Sequence, residues 1–246
     1  MSKNFELLQR VEKDELFDLP ADSVPVPQEA HAAIPFKKAP PDPEIGKLVQ
    51  RLFSTIGNGS DPKKVVSFSG ISRDDRSSWI CARAGEILAE QADTSVCLVD
   101  ANLSSPQLHV HFAAANQFGL AEALTTHAPI RNFGKPLCGE NLWLIPSGLV
   151  KPGFCPSMER YRERFAELRE AFDYILISAP SLSRETEATF IGQLADGVVL
   201  IVEANHTRRE TVRCVKEQLK CAQVRLLGSV LDQRTFPIPE FLYRKL

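Results

Sequence analysis

Short apolar runs recur along this chain at intervals set by helical stretches, and they do not alternate with polar residues. The runs are 64–69 (KVVSFS), 95–100 (SVCLVD), 141–145 (NLWLI), 174–178 (YILIS), 197–202 (GVVLIV) and 226–231 (LLGSVL). A strand that is apolar on successive residues is buried on both faces, which requires a mainly parallel sheet with helices packed above and below. Helical patterns fill the intervals, at 44–53, 78–91, 120–124, 158–172, 185–194 and 207–221. The fold class is therefore α/β, with a mainly parallel sheet flanked by helices on both faces. Ligands of such sheets bind beyond the carboxyl ends of the strands, so the turns after Ser69, Asp100 and Ser178 are where chemistry is expected.

The region before 44 has a different character. Residues 3–17 read as a short amphipathic helix with Ser2 as N-cap and Phe5, Leu8 and Val11 at a spacing of three. Residues 18–43 hold Pro20, Pro25, Pro27, Pro35, Pro40, Pro41 and Pro43, which excludes a regular helix or a central strand and reads as an extended linker. The organisation expected is helix 1–17, linker 18–43 and one folded domain 44–246. A helix on such a tether docks on a partner or folds back onto its own domain, and the pattern alone does not choose.

Composition removes several functions. The 246 residues are 43% hydrophobic with a formal net charge of -2, ordinary for a globular protein and without the basic excess of a nucleic-acid binder. The start, MSKNFELLQRVEKDE, is charged throughout and has no apolar signal core, and no apolar run is long enough to span a bilayer, so an intracellular, soluble protein is expected. The cysteines Cys81, Cys97, Cys138, Cys155, Cys214 and Cys221 form no C-x-x-C pair, which argues against zinc or dithiol chemistry, and Cys81 and Cys97 read as core residues. His109 and His111 stand two apart. They would face oppositely on a strand and miss helical i, i+4 spacing, so no metal pair is expected there.

The first turn, SFSGISRDDRSSWICARAGEILA, has the strand–loop–helix context of a phosphate-binding loop. A working loop reads G-x-x-x-x-G-K-[ST]: glycines let backbone N–H groups approach phosphate, the lysine offsets its charge and the hydroxyl ligates magnesium. Here Ser78 fills the hydroxyl place, Ser77 stands at the lysine place, and Asp74 and Arg76 stand at inner glycine places, beside Asp75. Arg73 and Arg76 are the local cations.

The second turn, SVCLVDANLSSPQLHVHF, carries a specific resemblance. Asp100, Leu103, Pro106, Leu108, His109 and Phe112 follow, in length and order, the D-x-D-L-R-x-P-x-L-H-x-x-F pattern. In this the chain resembles the bacterial tyrosine kinases of capsule and exopolysaccharide loci, within the MinD/ParA-like group of P-loop ATPases. The third turn extends the resemblance through Phe172, Asp173, Tyr174 and Pro180, then Ala195, Asp196, Gly197 and Val202, then Thr207, Arg208 and Glu210. Phe118-Gly119-Leu120, Pro146-Ser147-Gly148 and Gly228-Ser229-Val230-Leu231-Asp232 add to it, so that it covers about residues 44–246.

The resemblance implies a magnesium–nucleotide site and shows where this chain departs from it. The second aspartate of the D-x-D pair, which would serve magnesium and water activation, is Asn102, which cannot act as a base. The strand-end aspartate of the third turn is Ser178, and the asparagine that reads adenine is Asp232. The implied nucleotide site is thus Arg73, Asp74, Asp75, Arg76, Ser77, Ser78, Asp100 and Asp232, with Ser78 and Asp100 as the magnesium contacts of a site that still functions. No catalytic set is intact; Asp100 is the residual member. The tyrosine-rich tail of the family is absent, since Tyr161, Tyr174 and Tyr243 are the only tyrosines. In the family's E-x-x-R-x-x-R-x-N assembly segment, Glu44 matches, Lys47 replaces an arginine, and Gln50 and Leu52 depart.

Losing the cationic clamp and the magnesium carboxylates together removes the main electrostatic contribution to phosphoryl transfer. The expectation is a non-catalytic regulator or scaffold of exopolysaccharide synthesis and export, without a bound cofactor. By resemblance it would work at the cytoplasmic face of the membrane with an integral-membrane co-polymerase or chain-length regulator, with self-association open. The alternatives are an active tyrosine autokinase, in which Arg73 or Arg76 replaces the lysine and Ser78 and Asp100 hold magnesium with ATP or ADP, and a MinD-like nucleotide switch.

Overall fold

The computed structural model describes residues 43–56, 64–72, 76–91, 94–138, 141–151, 154 and 156–233. The amphipathic segment 3–17, nearly all of the proline-rich segment, Arg73, Asp74, Asp75 and Tyr243 lie outside the described residues.

The first helix, α1 (Pro43–Ile56), buries Ile45, Val49 and Leu52, which recur at i, i+4 and i+7. It starts on Pro43, the last of the linker prolines, because proline's missing N–H costs nothing in the first helical turn. The remaining helices are α2 (Ser77–Gln91), α3 (Leu108–His111), α4 (Leu120–Thr125), α5 (Met158–Ala171), α6 (Thr186–Leu194) and α7 (Arg209–Cys221). The strands are β1 (Lys64–Gly70), β2 (Val96–Asp100), β3 (Lys135–Cys138), β4 (Leu142–Ile145), β5 (Tyr174–Ser178), β6 (Gly197–Glu203) and β7 (Leu226–Asp232).

They form one sheet in the order β3-β4-β2-β5-β1-β6-β7, parallel except for β3, which runs antiparallel to β4. The fold class expected from the apolar runs is the one observed. Two elements escape the sequence pattern. The edge strand β3 contains Pro136, tolerated because an edge strand leaves one row of backbone groups unpaired, and its pairing with β4 slips between Pro136 and Cys138. The short helix α3 carries both His109 and His111, two residues apart and off i, i+4 spacing.

Two layers of side chains cover the sheet. On one face α1 and α2 pack Val49, Leu52, Ile80, Cys81 and Leu88 against Val66, Phe68, Leu98 and Leu176. On the other, Phe165, Leu168, Phe190 and Ile191 meet Val99, Ile145, Ile175 and Ile177, and a third cluster joins α7 to β6 through Val215, Leu219, Val198 and Leu200. Each buried aliphatic or aromatic side chain contributes roughly 1.5–3 kcal/mol. Cys81 and Cys97 are fully buried, and burial raises both thiols above their ordinary range.

Helix α5 buries a charge along with Tyr161, Phe165 and Leu168. The Arg164 guanidinium donates to Ala123 O at 2.7 Å, to Ala128 O at 3.0 Å and to Glu167, so its burial leaves no donor-rich group stranded. Two stretches far apart in sequence meet at one junction: Leu120 N donates to Pro146 O and Ala121 N to Ser147 O, both at 2.8 Å. Gly148 closes this junction with φ +79°, where a side chain would be strained and would collide with Glu122.

Candidate functional site: three strand ends with a hydroxyl lining

The strand order sets β2, β5 and β1 side by side, so the three turns singled out from sequence share one sheet edge. Ser178, at the end of β5, is in register with Asp100 on β2 and Phe68 on β1. Ala101 N donates to Ser178 O, and Ala179 N to Phe68 O, both at 2.9 Å. Asp100, Ser77, Ser78 and Ser178 are therefore brought together at the edge, all buried.

Ser78 enters from the first turn of α2, and its Oγ lies 2.7 Å from Ser178 Oγ. The hydroxyl at the magnesium place is thus bonded to the hydroxyl that stands where the family has a carboxylate. Further hydroxyls tie the β5–α6 loop to the β1–α2 loop. Ser69 Oγ donates to Pro180 O, Ser181 Oγ to Ile71 O at 2.6 Å, and Ser183 Oγ also to Ile71 O. The backbone joins in, Leu182 N donating to Gly70 O at 3.0 Å. Sequence reasoning missed Ser69, Ser181 and Ser183. Their signal was the repeated serines of SFSGIS and SAPSLS.

Asp100 is completely buried, and both carboxylate oxygens are used. Oδ2 accepts from Gln107 N at 3.0 Å and Leu108 N at 2.9 Å, and Oδ1 from Asn102 N at 3.3 Å. The carboxylate caps the start of α3. Burial raises its pKa to about 6, against the lowering effect of the backbone donors. Asn102 turns into its own loop, its Oδ1 accepting from Ser104 Oγ and Ser105 N, both at 3.1 Å.

Arg76 stacks over Trp79, 3.9 Å from the ring centroid, and its Nη1 lies 3.3 Å from Asp232 Oδ1 at the end of β7. Both nucleotide-site positions are engaged with each other across the cleft. The second oxygen of Asp232 is buried without a hydrogen-bond partner among the described residues. A cavity of about 250 Å³ opens beside Ile71 and Ser72, and its cations are Arg184 and Arg208, from the loops after β5 and β6. Behind the site, Glu86 of α2 pairs with Arg83 of its own helix and faces His111 of α3 at 3.4 Å.

A magnesium–phosphate group needs carboxylates or hydroxyls with open lone pairs and a cation aimed at phosphate. Among the described residues one hydrogen bond joins the hydroxyls of Ser78 and Ser178, Asp100 accepts from three backbone donors, and Arg76 is held by Trp79 and Asp232. No group of three His, Cys, Asp or Glu side chains converges among the described residues. With Asp100 as the carboxylate beside the hydroxyl pair, the described residues supply part of the set such a group needs and lack the second carboxylate of the family pattern, where Asn102 stands. Of the described tyrosines, Tyr161 is buried and Tyr174 packs edge-on against Phe53 at 5.1 Å.

No protein-family profile matches the chain. Its curated relatives are bacterial tyrosine-protein kinases. It is 25% identical over 171 residues to Tyrosine-protein kinase YwqD of Bacillus subtilis (strain 168), covering 69% of this chain and 72% of that protein. It is 26% identical over 176 residues to Tyrosine-protein kinase CpsD of Streptococcus agalactiae, covering 69% and 75%. Among solved structures, the chimerical protein CapA2B2 superposes with TM-score 0.71 at 20% identity over 81% of this chain and 87% of that one. The septum site-determining protein MinD from Pyrococcus horikoshii, complexed with Mg-ADP, superposes with TM-score 0.61 at 19% identity over 74% and 76%. The fold is that of the tyrosine-kinase domains and MinD/ParA ATPases. Among the described residues, no helix is long and apolar enough to cross a membrane.

Proposed function

We propose that this homologue of the bacterial tyrosine-protein kinases is a non-catalytic regulator or scaffold in exopolysaccharide synthesis and export, partnered by a membrane chain-length regulator. The observation that supports the reading is the 2.7 Å bond between Ser78 and Ser178, which sets a neutral hydroxyl, Ser178, where the family has its strand-end carboxylate, against the magnesium-place hydroxyl Ser78. Arg76, one of two candidate substitutes for the loop lysine, stacks on Trp79 and pairs with Asp232, while the other, Arg73, lies outside the described residues. The pathway and the membrane partner rest on the resemblance to the capsule and exopolysaccharide kinases. With its strand ends sealed by hydroxyl bonds, the domain offers its surface rather than its site.

A second reading keeps nucleotide binding without phosphoryl transfer. It is favoured by the unpartnered Asp232 oxygen, an open acceptor for an exocyclic amino group, and by Arg184 and Arg208 at the neighbouring cavity. Calorimetric titration of the full chain with ATP and ADP, with and without magnesium, separates the two. The scaffold reading predicts no heat at millimolar nucleotide in either condition. Binding that is independent of magnesium supports the second reading. Micromolar binding that requires magnesium contradicts the scaffold reading and reopens the kinase and switch readings.

A further inference from the structure

Two charged helices lie on the same face of the sheet and treat their cations differently. On α5, Arg160 pairs with Glu163, Arg162 with Glu159 and Arg164 with Glu167. On α7, Arg209, Arg213, Lys216 and Lys220 are all exposed, and none makes an ion pair among the described residues. Their spacing of four, three and four residues confines them to an arc of roughly 60° on a helix that turns about 100° per residue. Glu210 and Glu217 of the same helix sit beside this arc, roughly 80–100° from Arg209.

The direction of the stripe follows from the opposite flank. Gln218, half a turn from Arg209 in projection, donates to Thr189 Oγ1 of α6 at 2.7 Å, and Gln193 of α6 donates to Ala222 O at 3.0 Å. The basic stripe therefore points away from α6, toward the outer edge of the sheet. That edge is β7. Ser229 and Leu231 of β7 are in register with Leu200 and Val202, whose side chains pack in the α7 layer. Ser229 and Leu231 face that same layer, yet Ser229 is exposed and Leu231 is 53% exposed. The result is a shelf: a floor on β7 with an uncovered leucine, and a wall on α7 with four unpaired cations.

We propose that residues 3–18 of this same chain dock on the α7–β7 shelf. The segment combines Phe5, Leu8 and Val11, an apolar face for Leu231, with Glu6, Glu12, Asp14, Glu15 and Asp18 against Lys3, Arg10 and Lys13, a net negative charge whose carboxylates cluster at 12–18 for the basic stripe. The segment 234–246 carries Arg234, Arg244 and Lys245 against Glu240, so its net charge is repelled by the same wall. Reach is ample. The 24 residues between the segment and α1, extended at about 3.1 Å each, span roughly 75 Å, against a domain roughly 40 Å across. The docked segment supplies the helix that the outer strand lacks, and it withdraws the amphipathic tether from other partners.

Carbodiimide coupling of the full chain, which joins a carboxylate to a nearby lysine amine with loss of water to the carbodiimide, tests this directly. A mixture of unlabelled and nitrogen-15 protein separates couplings within one chain from those between copies. The proposal predicts amide links from Glu12, Asp14 or Glu15 to Lys216 or Lys220 within one chain. Arg209→Glu with Arg213→Glu should lower their yield by about tenfold, the scale of a few exposed ion pairs lost together. Glu12→Lys with Glu15→Lys, added to that variant, should restore the links through Asp14. Links found only between chains, links of Lys245 to Glu210 or Glu217 in their place, or the absence of any link to Lys216 and Lys220 would each overturn it.

Discussion

The turns after β2 and β1 stand at the same sheet edge, one strand apart, and have met different fates. The turn after β2 keeps the family's spacing from Asp100 to Phe112, and the buried carboxylate holds it through three backbone donors. The turn after β1 keeps its place in the fold and the hydroxyl Ser78, with Ser77 where the lysine would be. The difference is one of role. Asp100 has a structural task that survives without a ligand, since it caps α3. The lysine and the strand-end carboxylate of a nucleotide site have no task except the ligand, and here Ser77 and Ser178 stand in their places. What persists is what the fold itself uses.

Five substitutions would break or sharpen that contrast. The largest effect is expected from Ser178→Asp, which restores the family residue. It places a second buried carboxylate beside Asp100 and removes the bond to Ser78, at a cost of about 4 kcal/mol. Adding Ser77→Lys should recover part of that loss, as read by urea unfolding. If Ser178→Asp were neutral, the hydroxyl lining would not be an adapted arrangement.

Asp100→Ala comes next, at about 3 kcal/mol, because it strands buried N–H groups of Gln107 and Leu108. Asp100→Asn keeps an acceptor oxygen and sheds the buried charge, so it should stay within about 1 kcal/mol of wild type at neutral pH. The same residue predicts a pH dependence. Its folded pKa is raised to about 6 from 3.8, so the folded state holds the proton more tightly than the unfolded chain. The stabilisation this gives is complete below the unfolded value and is lost as pH rises through about 6, a span of up to about 3 kcal/mol. Unfolding free energies of wild type and Asp100→Asn, compared between those limits, should diverge by that amount; parallel curves would show that Asp100 does not titrate there.

The smallest effect belongs to the β1 turn itself. Arg76→Ala removes a stack on Trp79 and a partly exposed ion pair with Asp232, together about 1 kcal/mol. A change in tryptophan emission should accompany it. An unchanged emission spectrum would mean that the guanidinium does not rest on the ring in solution.

Much of this was legible in the residues. Apolar runs that do not alternate require a buried parallel sheet, and six strands follow from them directly. The edge strand at Lys135–Cys138 was not legible, because a proline in a short segment carries no strand signal away from its neighbour β4. Helix α3 has four residues and depends on Asp100 for its cap, so no periodicity announces it. At the site, the positions were legible by order along the chain, but their new bonds were not. Ser78 meets Ser178 across 100 residues, and Arg76 meets Asp232 across 156. Spacing predicts which residues stand at strand ends; which of them satisfy each other depends on side-chain geometry that only the folded structure supplies.

The central claim is that the strand-end site no longer transfers phosphate. It is tested most directly by incubating the purified full chain with magnesium and ATP labelled at the γ-phosphate, beside Asp100→Asn, and following both released phosphate and label on protein. The account predicts neither above the protein-free background, for wild type and variant alike. Magnesium-dependent release or tyrosine labelling by wild type, abolished in Asp100→Asn, would contradict it.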